Sequence, residues 1–185
     1  MIGYAFCGSF CTLAASLSTL SELVKKESDV IPIVSENVYS TDTRFFAAKD
    51  FLRTVEDITG KSVVHTIAEA EKFGQNRLES LIIAPCTGNT LAKIASGITD
   101  TAVTMAAKAH LRCDGKLLIA LASNDAMSQN LKNIAALITR QSVYFVPMRQ
   151  DDPIKKPHSL VADLSQTEKA FFAMKEDIRL RPLFL

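Results

Sequence analysis

The residues best placed to do chemistry lie in four short polar stretches, each directly after an apolar run. The richest is Pro85-Cys86-Thr87-Gly88-Asn89-Thr90, which follows Leu81-Ile82-Ile83-Ala84. Pro85 has no backbone N–H and is expected to end a buried strand there. A helical pattern begins at about Asn89, so Thr87, Asn89 and Thr90 fall beside helix amides that lack a partner within the helix. Such side chains either cap the helix or hold a flat ring with carbonyl and imide edges. A second stretch, Gly8-Ser9-Phe10-Cys11-Thr12, follows Ile2–Cys7. Gly8 lets backbone approach a ligand closely, and Ser9 adds a hydroxyl beside another helix start. That suits a phosphate, or simply a tight turn with a cap. After Val30–Val34 come Ser35 and Glu36. Glu36 could grip a ribose, and Ser35 could add a hydrogen bond to a phosphate; both stay open. The fourth stretch, Ala122-Ser123-Asn124-Asp125, again sets polar groups before a helix.

Other chemistries find less support in the residues. His65 closes a weak strand and is the candidate base that could reach the edge of the site. His110 sits in an alanine-rich helical stretch and His158 in a charged loop. None has metal-ligand spacing. Cys7, Cys11, Cys86 and Cys113 form no C-x-x-C pair, and no histidine stands at zinc-finger distance from them. Free thiols are expected, and no metal. A nucleophile at Cys11 or Cys86 would have no obvious base beside it. The chain lacks G-x-G-x-x-G and the Walker lysine, which disfavours ordinary dinucleotide or nucleoside triphosphate binding.

The polar stretches must be positioned by strands alternating with helices. Strands are expected at Ile2–Cys7, Val30–Val34, Ser62–His65, Leu81–Ala84, Lys116–Leu121 and Ser142–Val146. Helices are expected over about 12–26, 44–59, 89–96, 101–111 and 127–139, with a short helical turn at 67–73. Residues 148–165 read as an extended loop, and 166–180 as a C-terminal helix. This order implies βαβ units. The expected fold is α/β: a three-layer, doubly wound parallel sheet of about six strands, Rossmann- or flavodoxin-like. The carboxyl ends of parallel strands gather on one edge, so the four polar stretches should meet there.

Composition narrows the partners. A chain of 185 residues suits one α/β domain over 1–185. Its net charge of +1, with no basic block, argues against nucleic acid. No apolar run reaches the roughly 18–20 residues that span a bilayer. The apolar start has no cationic region before it, so a cytoplasmic protein with no membrane contact is expected.

Longer motifs carry a family resemblance. The segment Asn89-Thr90-Leu91-Ala92-Lys93-Ile94-Ala95-Ser96-Gly97-Ile98-Thr99-Asp100 is followed by Met105-Ala106-Ala107-Lys108-Ala109-His110-Leu111-Arg112. Then come Ser123-Asn124-Asp125-Ala126, Tyr144-Phe145-Val146-Pro147 and Lys156-Pro157-His158-Ser159-Leu160-Val161-Ala162. With Gly8-Ser9 these resemble the flavoprotein superfamily of FMN-binding cysteine decarboxylases, and within it the dipicolinate synthase B-subunit family of sporulation flavoproteins. The resemblance implies FMN as cofactor. Gly8, Ser9 and Ser35 match positions that hold the phosphate. Pro85, Cys86, Thr87, Asn89 and Thr90 match the loop lining the isoalloxazine, and Ser123 and Asn124 match the loop that completes the pocket.

The implied reaction is oxidation of a dihydro- or tetrahydrodipicolinate to dipicolinate during sporulation. The implied partner is the nicotinamide-dependent A subunit of dipicolinate synthase. The substrate would be a small dicarboxylate, for which Lys108, Arg112, Arg149, Lys155 and Lys156 offer charge. A homo-oligomer, trimer or larger, in the cytoplasm of the mother cell is also implied. Two competing expectations are an FMN-dependent decarboxylase of cysteine-derived substrates, with His65 as base, and a non-catalytic, partner-binding module. Against the decarboxylase, the loop Leu121-Ala122-Ser123-Asn124-Asp125 replaces that group's Pro-x-Met-Asn motif.

Overall fold

The computed structural model describes all of residues 1–185. The chain runs β1 (Ile2–Phe6), α1 (Leu13–Lys26), β2 (Val30–Val34), α2 (Glu36–Ser40), α3 (Ala48–Thr59) and α4 (Ile67–Glu71). It continues through β3 (Ser80–Thr87), α5 (Gly88–Ser96), α6 (Ala102–Leu111), β4 (Lys116–Ser123), α7 (Leu131–Ile138) and β5 (Val143–Phe145). The last elements are β6 (Met148–Arg149), β7 (Leu160–Ala162) and α8 (Thr167–Lys175). One seven-stranded sheet has the order β2-β1-β3-β4-β7-β6, with β5 also beside β4.

Three layers follow from the side-chain alternation of the central strands. Ala5, Leu81, Ile83, Leu117 and Ile119 face one side, where Leu91 of α5, Ala106 of α6 and Ile134 of α7 cover them. Tyr4, Phe6, Ile82, Leu118 and Ala120 face the other, under Leu20 of α1, Phe51 of α3 and Phe171 of α8. Strands buried on both faces need near-continuous apolar runs, which is how β1 to β4 read. Helices α3 and α5 stop at Gly60 and Gly97, whose φ of 66° and 73° is left-handed and favours glycine.

Several expected boundaries move. Ser62–His65 is not a strand: Val64 alone bridges to Ile33, because Thr66 at once starts α4 with a capping box to Glu69. Residues 148–165 are not simply a loop. They carry β6 and β7, which pair with each other antiparallel, and β7 pairs antiparallel with β4. The sheet is therefore mixed, its parallel body extended by an antiparallel edge. Strands of two or three residues show no period that a sequence could reveal. The C-terminal helix closes at Lys175, and α7 begins only at Leu131 because 124–130 forms turns.

Pro85 does not end β3. Between the pairs Ile83↔Ile119 and Cys86↔Leu121, β3 advances three residues while β4 advances two. The extra residue is a bulge, and it reverses the alternation. Cys86 therefore points to the same face as Leu81 and Ile83. The proline sits where the ladder is interrupted, so its missing donor costs nothing there, and its carbonyl accepts the Cys7 N–H at 3.1 Å. Ser16 Oγ on α1 donates to the Ala84 carbonyl at 2.5 Å and lies 3.0 Å from Tyr4 Oη, tying the helix to the bulge.

One buried histidine holds the turn before β4. His110 Nε2 donates to the Lys116 carbonyl at 2.9 Å. Burial pulls its pKa down from the usual value, while the carbonyl contact opposes this. The folded state thus favours neutral His110, and the unfolded chain binds the extra proton between about pH 6.5 and the lower folded value. Stability is expected to fall as pH drops through that window. Thermal midpoints from pH 7.5 down to 5.5 should show the decline. His110→Gln, which can still donate but cannot titrate, should lack that part of it.

Candidate functional site

The carboxyl ends of β1, β3 and β4 open onto a cavity of about 870 Å³, within the usual range for cofactor and substrate sites. The turn Gly8–Thr12 forms one wall, Thr87–Asn89 the centre, and Ala122–Asp125 the opposite wall. Of the predicted site residues, Gly8, Ser9, Thr87, Asn89, Ser123 and Asn124 line it.

The remaining ones are set otherwise. Cys86 and Pro85 lie beneath the cavity in the bulge and are buried. Burial, then the neighbouring Cys7, pushes the Cys86 thiol well up, and burial pushes Cys7 to about 11. Neither supplies a thiolate at neutral pH. Thr90 is buried, and its hydroxyl accepts from Thr87 Oγ1 at 3.1 Å. Thr87 Oγ1 also accepts the Thr90 N–H at 3.3 Å, so the Thr87 hydroxyl caps α5. Asn89 and Asn124 are exposed in the cavity wall, and their side-chain amides make no hydrogen bond within the chain.

Ser35 stands at the end of β2, where its N–H donates to Phe6 O at 3.0 Å. Its hydroxyl is buried and has no hydrogen-bond partner. An orphaned buried hydroxyl is costly, and it lies on the strand next to the Gly8-Ser9 turn. Such a group fits an acceptor-rich ligand end such as a phosphate. Neither Ser35 nor Glu36 lines the cavity: Ser35 precedes α2 with its hydroxyl buried, and Glu36 opens that helix.

His65 is not brought to this cavity. It lines a separate groove of about 790 Å³ with Lys49, Arg53 and Glu56, and stacks on Tyr39 at 3.8 Å between ring centroids. No group of three or more His, Cys, Asp or Glu side chains is arranged to hold a metal ion.

Several lining residues carry no strong sequence signal. Asp125, two positions after Ser123, accepts from Ser123 Oγ at 2.6 Å and from Asn130 Nδ2 at 2.8 Å. The Ser123 hydroxyl first, then the Asn130 amide, hold its carboxyl below the ordinary carboxylate range. The one available hint is Ser123-Asn124-Asp125 itself, since a serine two residues before an aspartate can bridge to it in a turn. Of the cations expected to serve carboxylates, only Lys156 reaches the cavity, and it pairs with Asp151. Arg44 and Lys132 line the cavity and form no ion pair; both lie in stretches without a strand-end signature.

The flavoprotein family profile matches residues 2–178. The chain belongs to the flavoprotein family. It is 39% identical over 164 residues to the dipicolinate synthase B subunit of Bacillus subtilis, covering 88% of this chain and 82% of that one. A crystal structure of the dipicolinate synthase B subunit from Bacillus halodurans superposes with a TM-score of 0.91 at 34% identity, covering 100% of this chain and 95% of the other. The FMN-dependent cysteine decarboxylase SpaF shares the fold at a TM-score of 0.71 and 20% identity, with 95% of each chain covered. This flavoprotein is thus of the dipicolinate synthase B type, in a family whose structural relatives include flavin-dependent decarboxylases.

Proposed function

We propose that the chain is the FMN-binding B subunit of a dipicolinate synthase. It would act with the nicotinamide-dependent A subunit in oxidising a dihydro- or tetrahydrodipicolinate to dipicolinate during sporulation. The observation that carries this is the convergence of Gly8, Ser9, Thr87, Asn89, Ser123 and Asn124 on one cavity. The similarity to the B subunit of dipicolinate synthase over most of both chains supports the choice of enzyme. It would assemble as a homo-oligomer, trimer or larger, in the cytoplasm of the mother cell. No helix is long and apolar enough to cross a membrane.

The residues present suit FMN. Ser9 would donate to the phosphate, with the Gly8 turn allowing close approach. The Ser35 hydroxyl, buried outside the cavity lining and without a partner, would add a second donor once turned toward it. Asn89 and Asn124 would donate to carbonyl edges of the ring. When bound, FMN supplies a two-electron acceptor for hydride. The unpaired Arg44 and Lys132 would attract and orient a dicarboxylate over the open side of the cavity.

The purified protein is expected to be yellow, or to take up added FMN with a flavin absorption spectrum. A colourless protein that binds no FMN would overturn the assignment. Turnover by the A subunit, measured with and without this chain, separates a catalytic role from a supporting one. Ser35→Ala is a sharper probe. Removing an unsatisfied buried hydroxyl should leave the melting temperature unchanged or slightly raised, while FMN affinity falls about tenfold for one lost phosphate hydrogen bond. A titration that finds no loss would remove Ser35 from the phosphate site.

A further inference from the structure

Asp125 is fastened through only one of its carboxylate oxygens. Oδ1 accepts both from Ser123 Oγ at 2.6 Å and from Asn130 Nδ2 at 2.8 Å. Both donors are largely buried, at 7% and 6% exposure. Asn130 is itself held, because its Oδ1 accepts from Asn133 Nδ2 at 2.8 Å. Gly88 closes the network from the other strand end: a Cβ there would lie 3.0 Å from Asp125 Oδ1 and 2.4 Å from Ser123 Oγ. The carboxylate is therefore braced in position in the cavity wall. Oδ2 takes no hydrogen bond and no ion pair from the chain.

An ionised carboxylate can only accept, and its free oxygen needs a donor or water. Other side chains lining the cavity near Asp125 that make no hydrogen bond within the chain are the Asn89, Asn124 and Gln129 amides and the Ser96 hydroxyl, all able to donate, and the Lys132 ammonium. Among these, Asn89 on α5 and Asn124 in the loop after β4 line the cavity together with Asp125, so two amide donors and one carboxylate acceptor are available to one ligand edge. A flavin's imide edge presents the complement: carbonyl, N–H, carbonyl. Resting on the FMN assignment above, we propose that Asp125 Oδ2 accepts the imide N–H of the bound flavin. Asp125 would then select which edge of the ring meets the 123–130 loop. Its fixed negative charge would also oppose adding negative charge to the ring, lowering the reduction potential of the bound flavin.

The test compares FMN with 3-methyl-FMN, in which the imide N–H is replaced, by fluorescence titration of the full-length protein. The wild type should prefer FMN about tenfold or more, the scale of a charge-assisted hydrogen bond. Asp125→Asn should narrow that preference to within about threefold, because the side chain keeps its size but turns an amide donor toward the ring. The potential of its bound FMN should rise. Should that variant fail to fold, Asp125→Ala takes its place, and the same narrowing of the preference is expected. Wild type that binds FMN and its methyl analogue equally would overturn the role of Asp125 while the FMN assignment stands. A preference retained in full by Asp125→Asn would overturn it too, since bulk alone would then explain the discrimination. Wild type that binds neither compound would overturn the FMN assignment, and this inference with it.

Discussion

Gly88→Ala is expected to abolish flavin binding, with FMN affinity reduced at least about tenfold for each ring contact displaced. The added Cβ would lie 2.4 Å from Ser123 Oγ, 2.6 Å from Asn130 Nδ2 and 3.0 Å from Asp125 Oδ1. Side-chain ends usually swing aside, but these three are hydrogen-bonded to one another, and two of them are buried. The loop after β4 must therefore move as a unit, away from the wall it shares with α5. Helix α5 itself should not suffer. Gly88 is its first residue, and alanine is the better helix former by up to about 1 kcal/mol. The effect should thus fall on the site and little on the fold. FMN titration with a parallel thermal melt checks both halves. Undiminished binding would show that the Ser123–Asp125 wall does not contact the ligand.

The largest effect on stability is expected from Phe6→Ala, at about 3–5 kcal/mol. Phe6 is fully buried, packs edge-on against Phe51 at 5.3 Å and lies 5.0 Å from Tyr4. Its removal opens a cavity between β1 and α3 that neighbouring β-strands cannot collapse to fill. Against a total stability of about 5–15 kcal/mol this is a large fraction. The melting temperature should fall by about 6–20 °C for a chain of this size. The site should loosen as well, because Phe6 O anchors the Ser35 N–H and the Gly8 turn follows directly. Phe45→Ala offers the contrast: that ring is exposed at the cavity rim, so stability should change by no more than about 0.5 kcal/mol. Chemical denaturation of the three proteins separates these outcomes. A Phe6→Ala variant as stable as wild type would mean that the β1–α3 packing is not as described.

The sequence by itself determined the alternation of strands and helices, and with it where strand ends would gather. The reason is local: runs such as Leu81–Ala84 and Leu117–Leu121 are apolar without interruption, as strands covered on both faces must be. Turn residues mark where each run stops, so Gly8, Ser9, Thr87, Asn89, Ser123 and Asn124 were recognisable as a set. The polar motifs likewise carried the family.

What only the tertiary structure decided depends on register and on partners distant in the chain. The bulge at Ala84–Pro85 shows up as a mismatch between β3 and β4, and it turned Cys86 from the cavity into the core. Thr87 and Thr90 could serve a ligand or each other, and their geometry pairs the two hydroxyls, with Thr87 Oγ1 also capping α5. The strands β6 and β7 exist because they pair with each other and with β4, at lengths where local preference is silent. His65 looked close to the site along the chain, yet its short stretch ends against Tyr39 in another groove. Asp125 gained its place from Asn130 and from the missing side chain of Gly88, contacts that arise only when β3 and β4 lie side by side. A sequence records which groups can donate or accept; packing settles which of them are left free for a ligand.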